Sequence, residues 1–480
     1  MASYKVLGPP GTGKTRRLLN EVHKYVQQGT PLDKIGYFAF TRKAAGEARD
    51  RFLAKNEDLT KKDIKYFQTL HSLAFNNLGL KEENVMQEGN YKAIGESCGI
   101  QIKYASYETN NFNGIFSSNS EYLSLINLAR VKQISAEQQF DLNEHLTWIT
   151  RSKLTAIEKE INNYKQTHSL IDFTDMVQKF LDKGKSPPFK VIFVDEAQDL
   201  SLIQWSMIKK IEEETKCDVW IAGDDDQAIF GWAGADVNSF IKWPARNIAL
   251  TKSERVPSLI QTKALNIIQR IYFNRIPKDY LPRDIPGNIY QRYKINDIDM
   301  SKGDWLILTR TKSLWKPIPP FLKRKGLYFS TVEGNSIGKA LPEDIQTWNE
   351  FKQGLAPPEI KRQRLEEITG ETNLNLNLSW DEAFKNIPLS KREYMRAMIN
   401  NEEDLSKPPR IKVSTIHGAK GGEATNVVLF LNQTANTIKG SKKSQAKEEE
   451  EFRVWYVGIT RTMKNLFLIK CKNKMKEFKI

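Results

Sequence analysis

The sequence is poor in the residues that build covalent cross-links and metal centres. Three cysteines and five histidines occur among 480 residues. Cys98, Cys217 and Cys471 lie far apart in the sequence, without the close pairs from which zinc sites are built. A disulfide framework and a transition-metal enzyme are therefore both disfavoured.

Long hydrophobic runs are also missing. The longest apolar segments, such as 191–194 and 427–431, have the length of strands and fall far short of the roughly 20 residues that cross a bilayer. The first seven residues lack the apolar stretch of a secretory signal. The sequence thus predicts a cytoplasmic protein without a membrane segment.

Acidic residues are fewer than basic ones. The chain has 73 Lys and Arg against 58 Asp and Glu, which gives a formal net charge of +15. An excess of this size fits a groove that follows the phosphates of a nucleic acid.

Short β-rich runs alternate with helix-length stretches, which is typical of parallel α/β domains. We predict two α/β cores of this kind, each interrupted by a polar, helical insertion. The predicted parts are core 1 (1–80 and 166–250), its insertion (81–165), core 2 (251–337 and 410–480) and its smaller insertion (338–409).

Two further segments carry local predictions. Residues 379–399 should form two short helices divided at Pro388, and residues 434–451, low in apolar side chains, should form a solvated loop.

The strongest local signal is a glycine-rich segment that follows a short strand and precedes a helical run. Its glycines allow backbone N–H groups to surround a phosphate at the N-terminus of the helix. Lys14 would neutralise the β- and γ-phosphate oxygens, and the Thr15 hydroxyl would bind Mg²⁺. The segment therefore predicts a site for ATP and Mg²⁺ built from Gly8, Pro9, Pro10, Gly11, Thr12, Gly13, Lys14 and Thr15.

A phosphate-binding loop of this kind needs a second acidic residue at the end of another strand. Asp195 and Glu196 directly follow the apolar run 191–194. We expect Asp195 to hold Mg²⁺ through water and Glu196 to act as general base on the attacking water. A surface Asp-Glu pair is the less favoured interpretation.

Further segments bring out a family resemblance. Together with the glycine-rich loop, they occur in the order seen in UvrD/Rep-like superfamily 1 (1A) DNA helicases, and they cover both ends and the centre of the chain. The resemblance implies two RecA-like P-loop cores with parallel sheets. The segments are Phe38–Ala45, Thr69–Ser72, Asp195–Asp199, Gly223–Trp232, Thr415–Glu423 and Tyr456–Arg461.

The resemblance also implies roles around the nucleotide. Gln227 would sense the γ-phosphate and the attacking water. Arg255 and Arg461 would reach the γ-phosphate as arginine fingers. Arg16 would stack on the adenine, and Glu423 would lie near the ribose.

A third implied set consists of residues that contact DNA. Aromatic rings stack on bases for about 1–3 kcal/mol each, and hydroxyls and imidazoles hold phosphates. Core packing of Trp232 and ordinary polar roles for the two histidines remain alternatives. The matching positions are Phe40, Thr41, Thr69, His71, Phe230, Trp232, Thr415 and His417.

Two positions depart from the family pattern. Glu254 stands where the family places a tyrosine that stacks on adenine, and Ala233 replaces an arginine after the tryptophan. Glu254 bears on the selectivity for the nucleotide base, and Ala233 bears on one link between the γ-phosphate and the DNA strand. The predicted phosphate chemistry is unaffected by either departure.

The favoured interpretation is an ATP-driven translocase and helicase on single-stranded DNA. A polarity of 3′ to 5′ follows from the resemblance alone. The expected partners are single-stranded DNA, junctions of single- and double-stranded DNA, and replication or repair proteins, with the chain acting as a monomer.

A DNA-stimulated ATPase that remodels protein–DNA complexes is the alternative, since the second insertion is short. A ring-forming AAA-type ATPase is disfavoured, because both arginine-finger candidates and a second core lie in this chain.

Overall fold

The computed structural model describes residues 2–102, 120–143 and 148–480. The predicted insertion 81–165 thus lies partly outside the described residues, at 103–119 and 144–147. The chain divides into two compact units, which are described separately. Unit 1 comprises Met1–Glu254, Ile268–Arg283 and Glu449–Arg453. Unit 2 comprises Arg255–Ile267, Asp284–Glu448 and Val454–Ile480.

Unit 1 is built on a parallel sheet with strand order β3-β2-β4-β5-β1-β6 among its described residues. Its central strands are buried on both faces, which explains why they are continuous apolar runs rather than alternating ones. The strands are β1 (Ser3–Leu7), β2 (Ile35–Phe38), β3 (Phe67–Gln68), β4 (Val191–Val194), β5 (Asp218–Gly223) and β6 (Arg246–Ala249).

Several helices of unit 1 start at a residue whose side chain caps them. The hydroxyls of Thr41 and Thr69 accept hydrogen bonds from the first turns of α2 and α3, as N-cap threonines do. The helices are α1 (Lys14–Gln27), α2 (Arg42–Leu53), α3 (Leu70–Asn77), α4 (Glu88–Ser97), α5 (Glu121–Val131), α6 (Ala136–Asp141), α7 (Arg151–Thr167), α8 (Phe173–Lys183), α9 (Leu202–Thr215) and α10 (Val237–Lys242).

Helices α4 to α7 occupy the predicted insertion and have a hydrophobic cluster of their own. Ile94, Ile126, Leu154 and Ile157 are among its fully buried members. The described part of this segment is thus helical, because its apolar residues recur at helical spacing and pack on one another.

Unit 2 contains a sheet with strand order β12-β11-β13-β10-β14-β15-β9 among the described residues. All neighbours are parallel except β11 and β12. A separate two-stranded sheet is formed by β7 (Lys252–Pro257) and β8 (Leu281–Arg283), of which residues 252–254 and 281–283 belong to unit 1. The strands of the larger sheet are β9 (Asn288–Arg292), β10 (Trp305–Thr309), β11 (Phe329–Thr331), β12 (Gly334–Asn335), β13 (Ile411–Thr415), β14 (Ala424–Phe430) and β15 (Thr462–Ile469).

The remaining helices lie in the second half of the chain. Two short helices flank Pro388, as the sequence predicts, because proline fits before the first turn of a helix but not inside one. The helices are α11 (Ser258–Ile268), α12 (Lys312–Trp315), α13 (Ile318–Arg324), α14 (Ala340–Lys352), α15 (Glu359–Thr369), α16 (Trp380–Ala383), α17 (Leu389–Asn400), α18 (Ala435–Ser441) and α19 (Gln445–Ile459).

The prediction of a solvated loop at 434–451 is wrong. The segment forms α18 and the start of α19, capped by the hydroxyls of Thr434 and Ser444. The capping hydroxyls and, in α19, the acidic Glu448 of the first turn stabilise the helix starts, so a charged segment low in apolar residues can still be helical. Among the described residues, no helix is both long and apolar enough to cross a membrane.

Candidate active site and nucleic-acid interface

The glycine-rich loop joins β1 to α1 and wraps around the side chain of its own lysine. A Cβ atom on Gly8 would lie 2.2 Å from Cγ of Lys14, so only glycine fits there. Gly11 and Gly13 have φ values of 74° and 82°, in the left-handed region that favours glycine. Nζ of Lys14 donates a hydrogen bond of 3.0 Å to the carbonyl of Gly8. The loop is therefore shaped as a phosphate cradle.

The predicted metal-binding residues meet at the edge of the sheet. Oγ1 of Thr15 donates to Oδ2 of Asp195 at 2.6 Å, and the hydroxyl of Tyr37 donates to the same oxygen at 3.0 Å. Asp195 is 5% exposed, and its burial, with the neighbouring Glu196, raises the pKa of its carboxyl. Hydroxyl and carboxylate oxygens are ligands that Mg²⁺ prefers, so this donor set fits the ion.

Glu196 has an unusual backbone conformation for a residue with a side chain. Its φ is 52°, in the left-handed region. The side chain is 33% exposed, and Oε1 lies 3.8 Å from Nζ of Lys14. Nε2 of Gln198 donates to Oε2 of Glu196 at 2.6 Å. Backbone strain of this kind is typical of functional sites, where it fixes the direction of a side chain.

A chain of hydrogen bonds connects Glu196 to Gln227. The backbone N–H of Asp224 donates to Oε1 of Gln198 at 3.0 Å. Nε2 of Gln227 in turn donates to Oδ2 of Asp224 at 2.7 Å. Sequence reasoning did not single out Gln198 and Asp224, which complete this chain of hydrogen bonds, although both lie inside motifs that it identified.

The residues that precede Arg255 lie against the glycine-rich loop. Oγ of Ser253 donates to the carbonyl of Pro10 at 2.7 Å, and the backbone N–H of Glu254 donates to the carbonyl of Gly11 at 2.9 Å. The exposed side chain of Glu254 thus starts next to the loop, at the position where the family places a tyrosine.

The aromatic residues of the predicted DNA surface in unit 1 differ in exposure. Phe40 and Phe230 stack with ring centroids 5.6 Å apart, and Phe230 is only 2% exposed. Trp232 is 44% exposed, and its backbone N–H donates to Glu450 at 3.2 Å. A base could therefore reach the ring of Trp232 directly.

His71 lines an open cleft between α2 and α3. Burial, with nearby Arg42, lowers the pKa of His71 to about 4, so the imidazole is neutral at pH 7. The cleft has a volume of about 680 Å³, and Arg42, Arg49 and Lys65 give it a basic lining. Thr69, another predicted DNA contact, lines the same cleft.

In unit 2, two predicted nucleotide contacts are brought together. Nε of Arg255 forms an ion pair with Glu423. Arg461 is 1% exposed, and its Nε donates to the carbonyl of Val457 at 3.1 Å. Oγ1 of Thr415 accepts a hydrogen bond from the backbone N–H of Gly418, on the other side of His417.

Comparison with known proteins gives two family matches. Residues 2–245 match the UvrD/REP helicase N-terminal domain, and residues 363–473 match the UvrD-like helicase C-terminal domain. The two parallel sheets are accordingly those of two RecA-like cores, as the sequence predicts.

Individual relatives are distant in sequence. The ATP-dependent DNA helicase PcrA of Leuconostoc citreum is 23% identical over 80% of this chain and 57% of the relative. PcrA of Staphylococcus aureus (strain Mu50 / ATCC 700699) is 21% identical over 55% and 37%, respectively. A probable DNA helicase of Mycoplasma pneumoniae is 27% identical over 96% and 79%. The chain thus spans about half the length of the PcrA relatives that it matches.

Proposed function

Because this chain belongs to the UvrD/Rep helicase family, we propose that it is an ATP-dependent translocase on single-stranded DNA that unwinds duplex DNA. The proposed direction is 3′ to 5′ along the bound strand. The observation that carries the proposal is the joining of the glycine-rich loop, Asp195 and Gln227 into one hydrogen-bonded site.

ATP hydrolysis requires phosphates held in place and an oriented water. We assign the phosphates to the loop and to Lys14, and the Mg²⁺ ion to Thr15 and Asp195. When bound, Mg²⁺ would neutralise charge on the β- and γ-phosphate oxygens. The Thr15–Asp195 hydrogen bond supports this assignment, because it brings a hydroxyl and a carboxylate oxygen, both ligands that Mg²⁺ prefers, within 2.6 Å of each other.

Glu196 is the proposed general base. Its carboxylate is partly exposed, so it can accept a proton from water, and its Oε2 is held by Gln198. Gln227 is the proposed sensor of the γ-phosphate. The sequence of hydrogen bonds through Gln198 and Asp224 would keep the base and the sensor at a fixed separation.

DNA binding is assigned to the eight positions predicted from the sequence, with Trp232 as the base-stacking residue. The exposure of its ring supports this role. We propose single-stranded DNA and its junctions with duplex DNA as substrates, replication or repair proteins as partners, a monomer as the active form, and the cytoplasm as its location.

A strand-displacement assay tests the proposal. Duplexes with a 3′ tail, a 5′ tail or blunt ends are incubated with protein, ATP and Mg²⁺, and the Lys14→Ala protein serves as the inactive control. We expect displacement of the 3′-tailed duplex alone. ATPase activity that DNA stimulates, without displacement of any duplex, would instead favour the remodelling ATPase, and the absence of ATPase activity would contradict both.

A further inference from the structure

Three consecutive carboxylates are buried beside the proposed γ-phosphate sensor. Asp224, Asp225 and Asp226 follow β5 and are at most 1% exposed. Taking carboxylates out of water costs several kcal/mol each unless cations and hydrogen bonds compensate them. The segment 268–283 of unit 1 supplies this compensation.

Lys278 inserts its ammonium group among all three carboxylates. Nζ lies 3.0 Å from Oδ1 of Asp224 and 3.2 Å from Oδ2 of Asp226, and it also pairs with Asp225. The ammonium thus takes the position in which three clustered carboxylates would otherwise hold a metal ion. Arg275 adds two hydrogen bonds to Asp226, at 2.7 and 2.9 Å.

Asp224 is held through both of its carboxylate oxygens. Oδ1 pairs with Lys278, whereas Oδ2 accepts the hydrogen bond from Nε2 of Gln227. Gln227 therefore takes its orientation from an aspartate whose own position depends on the buried ammonium. The amide of Gln227 would thus contact the nucleotide, whereas Asp224 and Lys278 would fix the direction of that amide.

We propose that Lys278 is a positioning residue for ATP hydrolysis, acting on Gln227 through Asp224. This inference rests on the proposed function, since it assigns Gln227 to the γ-phosphate. Lys278 itself contacts no substrate in this proposal. Its role is to hold the carboxylate of Asp224 in place, so that the amide of Gln227 points in one direction.

The charges around the cluster decide how it responds to pH. Burial raises the pKa of Asp226 to about 6, although Lys278 opposes the shift. Burial alone would lower the pKa of Lys278, but the three carboxylates raise it above its ordinary value. The charged groups that face the cluster are Lys5 on β1, Arg275 and Lys278 on segment 268–283, and Arg453 on α19.

Removal of the ammonium takes away the cation that opposes the shift, so the pKa of Asp226 should rise further in the folded protein. The acidic limb of the kcat profile should then move to higher pH. The folded state then gains protons that the unfolded state does not, and stability falls as pH rises through this range. The deficit in Tm caused by the substitution should therefore be larger at pH 8 than at pH 5.5.

The test compares Lys278→Met with the parent protein and with Lys210→Met, which removes a lysine paired to Glu214 on α9. DNA-stimulated ATPase is measured from pH 5.5 to 9, together with Tm over the same range. For Lys278→Met we expect kcat at pH 7 to fall at least tenfold, KM for ATP to change less than threefold, and the acidic limb to move upward. Lys210→Met should match the parent.

A second variant separates the effect of the lost charge from a general effect of the substitution on folding. Lys278→Met combined with Asp226→Asn leaves the cluster with its original net charge, so the acidic limb should return toward that of the parent. If Lys278→Met is too unstable to purify, Lys278→Gln takes its place. A kcat within threefold of the parent, or a lower kcat with the acidic limb unmoved in both variants, would overturn the inference. Absence of ATPase in the parent would instead refute the proposed function.

Discussion

At the scale of single residues, hydrogen bonds from neighbouring side chains hold the acidic groups of the site in place. Asp195 illustrates this, because two hydroxyl groups donate to one of its oxygens. Glu196, one residue later, has a left-handed backbone, and its carboxylate lies near Lys14 and Gln198. Two adjacent acids thus obtain different surroundings, which suits one for a metal ion and the other for a proton.

Glu196→Gln should bind ATP and fail to hydrolyse it. The amide keeps the shape of the side chain but cannot accept the proton of the attacking water, so we expect kcat to fall by about 10²-fold or more. Nucleotide affinity and ATPase rate are measured together. Glu213→Gln, an exposed change on α9, is the control. A wild-type kcat would refute the role of general base.

Trp232→Ala should weaken the affinity for single-stranded DNA by about 1–3 kcal/mol, because one base loses its stacking partner. Affinity is measured by fluorescence anisotropy with a labelled oligonucleotide, alongside ATPase without DNA. Tyr293→Ala removes another exposed ring, in unit 2, as a control. Loss of ATPase without DNA and a lower Tm, with unchanged DNA affinity, would show that the ring serves packing.

At the scale of elements, α5 and α7 are joined to α8 by a network of buried charges. Arg130 on α5 and Lys165 on α7 both pair with Asp172, the N-cap of α8, and with Asp175. Burial would raise the pKa of Asp172, but the two cations hold it well below its ordinary value. The network therefore fixes three helices relative to one another.

Arg130→Met should destabilise unit 1 by about 3 kcal/mol, because a buried carboxylate loses its main partner. The sign of the pH dependence follows from the lowered pKa of Asp172. Its contribution to stability is present above its ordinary pKa of 3.8 and is lost as pH falls below that value. The difference in Tm between the two proteins should thus shrink in acid.

The control for this prediction is Arg151→Met, which breaks an exposed pair with Asp141 and should cost about 1 kcal/mol or less. Thermal unfolding is followed at pH 7 and at pH 3. An equal loss of stability from both substitutions at pH 7 would contradict the role assigned to the buried network.

At the scale of the whole molecule, the residues assigned to the proposed ATPase are distributed over both units. The phosphate loop and the general base belong to unit 1, whereas Arg461 belongs to unit 2. Its side chain is almost completely buried and bonded to backbone carbonyls. Its role as an arginine finger stays a prediction.

Arg461→Ala should lower the DNA-stimulated kcat by about 10²-fold or more, because an arginine finger stabilises charge on the transferring phosphate. ATP affinity should change far less. The exposed Lys464→Ala, three residues along the chain, is the control. A drop in Tm with an unchanged kcat would assign Arg461 to the folding of unit 2 instead.

The sequence by itself determined the class of fold and predicted most of the residues of the proposed site. Buried parallel strands are continuous apolar runs, and a phosphate loop requires glycines at fixed spacing, so both features are visible as local patterns. The predicted phosphate-binding residues, Gly8 to Thr15, are also contiguous in the sequence, so one local motif is enough to identify them. Strands of two residues, such as β3 and β12, are not visible in this way, because two residues carry no detectable period.

Only the tertiary structure decided what surrounds those motifs. Lys278 lies more than 50 residues from the aspartates that it pairs with, and no local pattern marks a lysine that will be buried. The helices at 434–451 were likewise mistaken for a loop, since this segment has few apolar residues and α19 buries its apolar side chains only beyond it, from Val454 to Ile459. Burial and pairing depend on residues distant in sequence, and a single sequence does not show which of them meet.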